Sequence, residues 1–423
     1  MMILKKGFHK CLSVAIVMAM VFLVSVDSTS ALSDLKIHFI NVGAGDGILI
    51  ECNGEVALID GGYASKWAQY GEDENDPLLN DVDRVFNTIG EPTFALKTQE
   101  EKDQIYTELK TTLQQNKHNE VVDYIEQLGI QKIDVLVSTH PHMDHVGGLV
   151  SVICNYPIGK IYKSKLEYKT RYSMAFDRLI ELDENLQTIT SVPAENEQFR
   201  LGGENGALFT VLNNTAADYE NSADSPNGDT NNYSIVMRMD YGKRSFLFTG
   251  DSQRASETYM LENHKDQIVV DILKQPHHGW SNPDGYISTE HSGHYDFTSV
   301  VNAYITVVSC GPDSPHKKVE NDMANSDVYR TNNLGNIVLT TDGQKVDITY
   351  GESIVYAFYK GDVNANGRID AADYLMIKDN IMGKFDFKRS QLRDADVNHN
   401  GRIDAADYLM IKDYIMGKIS SLQ

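Results

Sequence analysis

Short apolar runs, each closed by glycine, histidine or aspartate, recur along most of this chain. Residues 35–50 (LKIHFINVGAGDGILI) read as strand, glycine turn and strand, and 56–60 as the strand that follows. The glycines at 43–45 precede a strand and not a helix, which excludes a dinucleotide-binding loop. A β-branched run at 135–137 predicts a buried strand, fed by a helix over 121–128. Runs at 209–212, 233–239, 245–251, 268–273, 303–309 and 337–340 complete the strand set. Residues 63–119 break the pattern. They are acidic at 72–76 and then helical, with an amphipathic stretch at 102–113, and read as an insertion, either a lid or a solvated decoration. Strands alternating with helical stretches predict an α/β fold.

The run at 135–137 ends in His140, His142, Asp144 and His145. Three imidazoles and a carboxylate this close are costly to hold together unless a cation binds them, and clustered His and Asp suit zinc or manganese. His140 and His142 are two apart, so an extended backbone points them to one side. Asp144 and His145 lie past a turn and can face a second point. One loop can therefore serve two adjacent metal ions, an arrangement that activates water for hydrolysis. Other strand ends add Asp46, Asp60, Asp251, His277 and His278. Asp251 can bridge two metals because a carboxylate has two oxygens. His277, directly after its strand, is expected to be a ligand, and His278 to contact substrate or pass a proton. Asp46 and Asp60 are expected to hydrogen-bond the ligands.

At 423 residues the chain is long enough for two or three domains. Its net charge of −22 opposes nonspecific binding to a polyanion and suits a secreted protein. Residues 1–31 read as a signal peptide, with Lys5, Lys6 and Lys10 ahead of an apolar stretch too short for a comfortable membrane span. No membrane anchor is expected after cleavage. Cys52, Cys154 and Cys310 would remain, an odd number at wide spacing, so no disulfide framework is indicated. One basic stretch, 158–172, interleaves Lys160, Lys163, Lys165, Lys169 and Arg171 with tyrosines, as a surface for phosphate or single-stranded nucleic acid would.

From Asp362 to Lys384 the chain repeats at an offset of 34 residues, differing only at Ala365 against His399 and Asn380 against Tyr414. Each copy carries an EF-hand-type loop with oxygen ligands at positions 1, 3, 5, 9 and 12 and glycine at 6. The ligands are Asp362, Asn364, Asn366, Asp370 and Asp373 with the Arg368 carbonyl, and Asp396, Asn398, Asn400, Asp404 and Asp407 with the Arg402 carbonyl. Two calcium ions are expected.

HPHMDH at 140–145, FTGD at 248–251 and KQPHHG at 274–279, with ALIDGG at 57–62, resemble the metallo-β-lactamase fold, in its ComEC-type competence-protein subgroup. The resemblance spans most of 36–345 and implies an αββα sandwich, a dinuclear site and hydrolysis, in relatives mainly of phosphodiesters such as nucleic acid and phosphorylcholine esters. Many members of the fold place another histidine between the first loop and the TGD motif, and no histidine lies between His145 and His264 here. His316 stands where that subgroup has a GHP-like motif, and would assist the leaving group beside Asp144 and His278. Residues 361–419 resemble a type I dockerin, which implies docking onto a cohesin of a bacterial scaffoldin. Ala371-Ala372 and Ala405-Ala406 stand where many dockerins carry Ser-Thr.

The expectation is therefore a signal peptide (1–31), a metallo-β-lactamase-like hydrolase domain (32–355) and a dockerin (356–423). The protein would be an extracellular, cellulosome-attached phosphodiesterase, with nucleic acid as one candidate substrate. The alternatives are a phosphorylcholine or teichoic-acid esterase, a polysaccharide-directed esterase, or a non-catalytic cohesin-binding component.

Overall fold

The computed structural model describes residues 34–64, 96–115, 119–166, 170–214, 230–279, 295–312 and 326–422. The signal segment and His316 lie outside them. Two sheets pack face to face. One runs, in spatial order, Ser353–Ala357, Val346–Tyr350, Ile337–Thr341, Leu35–Phe39, Ile48–Cys52, Glu55–Ile59, Ile133–Ser138, Ile158–Lys163 and Thr190–Ser191. The other runs Asp327–Arg330, Ile305–Val308, Ile272–Lys274, Arg244–Phe248, Val236–Tyr241, Ala207–Asn213 and Gln198–Leu201. Alternate residues of both inner faces, among them Ile37, Phe39, Val137, Phe209, Met237, Phe246 and Ile272, form the core between them.

Helices cover both outer faces. Glu120–Gln127, Met143–Asn155 and Arg171–Leu182 bury their apolar stripes on the first sheet, and Arg254–Asn263 and Tyr295–Val301 do so on the second. This is the mixed α/β sandwich of the metallo-β-lactamase fold. The helix Gln99–Gln115 buries Leu109 and Leu113 in the first helix layer, so this part of the expected insertion is core and not solvated decoration. Cys52, Cys154 and Cys310 are buried free thiols. Among the described residues no helix is long and apolar enough to cross a membrane.

Topology brings the chemistry together. Glu55–Ile59 runs parallel to Ile133–Ser138, and Arg244–Phe248, Ile272–Lys274 and Ile305–Val308 are mutually parallel. Each set ends at one edge of its sheet. The loops that follow carry Asp60, His140–His145, Asp251 and His277–His278 to a shared rim, where the 40–47 turn adds Asp46. Beyond the last strand, Ala371–Ile381, Arg389–Ala395 and Ala405–Ile415 form the C-terminal helical region. Ile377 and Ile411, equivalent in the two repeats, are buried there, and Tyr374 stacks on Tyr408 with centroids 4.1 Å apart.

Candidate metal centre

The centre begins with a close approach. A Cβ on Gly148 would lie 2.0 Å from the Gly61 carbonyl, so the helix Met143–Asn155 reaches the 60–62 loop only because residue 148 is glycine. That seats His145 against Asp60, whose Oδ2 accepts from Nδ1 at 2.8 Å. Asp60 also accepts from the Thr139 amide (2.8 Å) and hydroxyl (2.6 Å). With Nδ1 committed, the lone pair of His145 sits on Nε2. His278 is held in the same manner, Nδ1 donating to the Ser309 carbonyl at 2.9 Å.

The two free Nε2 atoms are 3.3 Å apart. Asp251 Oδ2 lies 3.1 Å from that of His145 and 3.2 Å from that of His278. Asp144 Oδ2 lies 3.8 Å and 3.4 Å from the same two atoms. Asp144, His145, Asp251 and His278 thus form one cluster that could hold a metal ion, and Asp46, Asp60 and His145 form a second grouping behind it. The Oδ1 atoms of Asp46 and Asp251 are buried without a hydrogen-bond partner. The imidazole nitrogens and carboxylate oxygens of the first cluster make an all-N/O donor set that suits zinc or manganese.

Electrostatics point the same way. Burial disfavours every charge here, yet the imidazoles of His145 and His278 together hold Asp251 well below the usual carboxylate range and also lower Asp144. Burial lowers His278, but Asp251, Asp144 and Asp46 outweigh it and raise the ring to about 9. His145 is likewise raised, by Asp251, Asp144 and Asp60. Burial, with His145 beside it, drives His140 well below its ordinary value. Burial raises Asp60.

His140 Nε2 faces His142 Nδ1 at 3.1 Å and Asp251 Oδ2 at 3.8 Å, while its Nδ1 faces the Thr139 and Ser234 hydroxyls at 3.1 and 3.4 Å. These three groups offer a second, less complete position for a cation. Ser234 stands beside it, and its hydroxyl also accepts from the Asp251 amide at 3.0 Å. The carboxylate of Asp251 is divided. Oδ2 faces His140, His145, His277 and His278, and Oδ1 faces Lys274 Nζ at 3.8 Å. One oxygen, and not two, is thus presented to the imidazoles.

The neighbouring histidines are placed differently from the expectation. His277 Nε2 is 3.9 Å from Asp251, outside the four-residue cluster, and it is His278 that enters. Both residues adopt left-handed backbone (φ 46° and 53°), as does Asp60 (φ 58°). Such conformations cost about 1–3 kcal/mol each for non-glycine residues and persist where surroundings enforce them. The Asp46 side chain makes no hydrogen bond to the His loop; its Oδ2 pairs with Lys274 and lies 3.9 Å from His145 Nδ1, and its Oδ1 lies 3.8 Å from His278 Nδ1. In the basic stretch, Lys163 pairs with Asp177 and Lys160 lies over the Tyr162 ring.

Besides Ser234, two groups escape sequence reasoning. Lys274 is wholly buried, paired with Asp46, and donates to the Gly250 carbonyl at 2.9 Å. A lysine closing an apolar strand just before His277 was the signal available. Tyr63 lies where burial and the Asp144 and Asp251 carboxylates keep its hydroxyl protonated.

The two calcium-type loops are closed alike. Asp362 accepts from the Asn366 and Gly367 amides at 3.0 and 2.7 Å, and Asp373 from those of Val363, Asn364 and Asp370 at 2.8, 3.1 and 3.0 Å. Asp396 and Asp407 repeat these contacts in the second loop. Asn364, Asn366, Asp370, Asn398, Asn400 and Asp404 accept from loop or helix amides between them. Burial raises Asp362 and Asp373, as expected of acidic groups gathered for a cation.

Residues 108–286 match the model of the metallo-beta-lactamase superfamily, and 360–416 that of the dockerin type I domain. Over 206 residues the chain is 23% identical to ComE operon protein 3 of Bacillus subtilis, covering 47% of this chain and 23% of that protein. The chain spans less than a quarter of the length of the curated relatives it matches. A mutant of the CmlA beta-hydroxylase of Streptomyces venezuelae superposes with a TM-score of 0.41 at 15% identity, over 73% of this chain and 54% of that one. A ScaB dockerin of Acetivibrio cellulolyticus, solved with a ScaC cohesin, is 35% identical over 14% of this chain and 86% of that one, with a TM-score of 0.14.

Proposed function

We propose that this chain, which carries a metallo-β-lactamase superfamily domain and a type I dockerin domain, is a secreted metal-dependent hydrolase of phosphodiesters, carried by a cohesin partner into a cellulosome-type complex. The observation that supports it best is the convergence of Asp144, His145, Asp251 and His278 on one point at the rim of the sandwich. These residues would hold one divalent cation, and His140, His142 and Asp251 a second. A cation held there supplies Lewis-acid polarisation and lowers the pKa of water.

The chain's own groups do the rest. Asp60 and the Ser309 carbonyl fix the tautomers of His145 and His278, so both rings present Nε2. Lys274 holds Asp46 and the second oxygen of Asp251 on the far side of the cluster. His277, a quarter exposed, stands at the mouth, where an imidazole can hand a proton to the leaving oxygen. Tyr63 adds a neutral hydroxyl that can donate to a phosphoryl oxygen. His316 retains its proposed part at the leaving group.

The pairing of Lys163 with Asp177, in a protein of net charge −22, favours a small phosphodiester such as a phosphorylcholine ester over a long polyanion. Hydrolysis of bis-p-nitrophenyl phosphate with added zinc or manganese, beside Asp251→Ala, tests the reading. Metal-dependent turnover lost in the variant supports it. No turnover by correctly metallated protein sinks the phosphodiesterase assignment.

A further inference from the structure

The two repeats at the C-terminus are identical at all but two positions between 362 and 384, so the places where they differ are informative. Three of the four residues concerned line cavities against the sandwich. Ala365 lines one of about 510 Å³, with Asp327, Tyr329, Val355 and Tyr356 opposite. His399 and Tyr414 line another of about 750 Å³, facing Arg244, Tyr304, Phe358 and Tyr359. The positions that stayed identical include the exposed pairs Leu375 and Leu409, Ile381 and Ile415, and Met382 and Met416.

The joint itself is built. Phe358 directly follows the last strand with φ 63° and is buried in the sandwich core. The guanidinium of Arg244 lies over its ring at 4.2 Å and that of Arg393 at 3.7 Å. Arg389 and Arg393 also lie over Tyr304, at 4.0 and 4.9 Å, and Arg389 donates to the Asn302 carbonyl. Partly desolvated cation–π contacts of this kind are attractive and hold the two surfaces together. The first calcium-type loop joins in. Tyr356 N donates to the Ala365 carbonyl at 3.3 Å, and the Tyr356 ring lies so close to Gly367 that a Cβ there would meet it at 2.6 Å. The equivalent Gly401 has nothing within 4 Å. Lys360, in the connecting segment, donates to the Arg393 and Asp396 carbonyls, the latter at 2.9 Å.

We propose that the helical module docks in cis on its own hydrolase domain, through its first loop and the Arg389–Ala395 helix, as a fixed limb and not a tethered handle, and that calcium in the first loop locks this joint. The divergence of the repeats then belongs to the joint. It leaves the identical, outward apolar face of both repeats free for a partner. The active-site rim is held in one orientation to that face.

Cleavage of the full chain by endoproteinase Lys-C after Lys360 tests the joint, with the catalytic metal held constant. Calcium-loaded protein should resist cleavage there. Calcium-free protein and an Arg389→Ser/Arg393→Ser variant should be cut about tenfold faster or more, as a local opening of this size implies. A calcium titration followed by circular dichroism should show that the variant still binds calcium and folds. Equal cleavage of calcium-loaded wild type and variant overturns the proposal. Small-angle scattering of the unmodified, calcium-loaded chain is an independent check: one fixed separation of the two modules supports the joint, and a broad distribution overturns it.

Discussion

Lys274 Nζ is ion-paired to Asp46 Oδ2 where neither side chain meets solvent. A charge taken out of water in this way is kept only by its partner. Lys274→Met therefore leaves buried Asp46 with only the imidazoles of His278 and His145, 3.8 and 3.9 Å away, and should cost about 3–5 kcal/mol in urea unfolding of the metal-free protein. Asp46→Asn with Lys274→Met should cost less than the two single changes added together. Strict additivity would show that the pair does not interact.

Asp60 is fully buried and binds His145 Nδ1 and Thr139 together. Asp60→Asn keeps one acceptor oxygen, which the Thr139 amide occupies, and sets an NH2 donor against His145 Nδ1, so the tautomer is no longer fixed. Metal affinity should fall about 10- to 100-fold. Competition against a chromogenic chelator measures it, and an unchanged affinity would mean that the tautomer is fixed elsewhere.

His278 is raised from 6.5 to about 9, chiefly by Asp251 against the opposing effect of burial. A group raised on folding stabilises fully below its unfolded pKa and loses that contribution as pH rises through its folded one. Asp251 and Asp144 are shifted below 3.8 and do not titrate in this window. The urea midpoint of metal-free protein should thus fall between pH 6.5 and 9. Metal uptake at neutral pH should release protons from His278 and His145, read by calorimetry in buffers of different ionisation heat. Uptake without proton release would contradict the assignment.

Asp373 closes the first calcium-type loop by accepting three amides, and Asp407 closes the second. Removing calcium should melt the helices at 371–381 and 405–415 while the sandwich persists. Circular dichroism with and without calcium decides this. Full helicity without calcium would leave the loops with no structural need of the ion.

Local patterns were readable from sequence, and long-range ones were not. His140, His142, Asp144 and His145 are neighbours in the chain, as are the candidate calcium ligands of each repeat loop, so spacing alone marks them as candidates. The choice between His277 and His278 was hidden because left-handed backbone at both residues turns the second ring inward, and nothing in KQPHHG signals that turn. Ser234, just before the strand Val236–Tyr241, and Lys274, at the end of Ile272–Lys274, join the centre from places far apart in sequence from the His loop. The amphipathic helix Gln99–Gln115 was legible as a helix, but its periodicity did not say what its apolar stripe packs on.

The central claim is that Asp144, His145, Asp251 and His278 hold the catalytic cation. Metal content by mass spectrometry and turnover of bis-p-nitrophenyl phosphate, measured on wild type, His278→Ala and His277→Ala, address it most directly. The account predicts a tightly held ion in wild type and His277→Ala, and loss of both ion and turnover in His278→Ala. An ion lost from His277→Ala and retained by His278→Ala would contradict it.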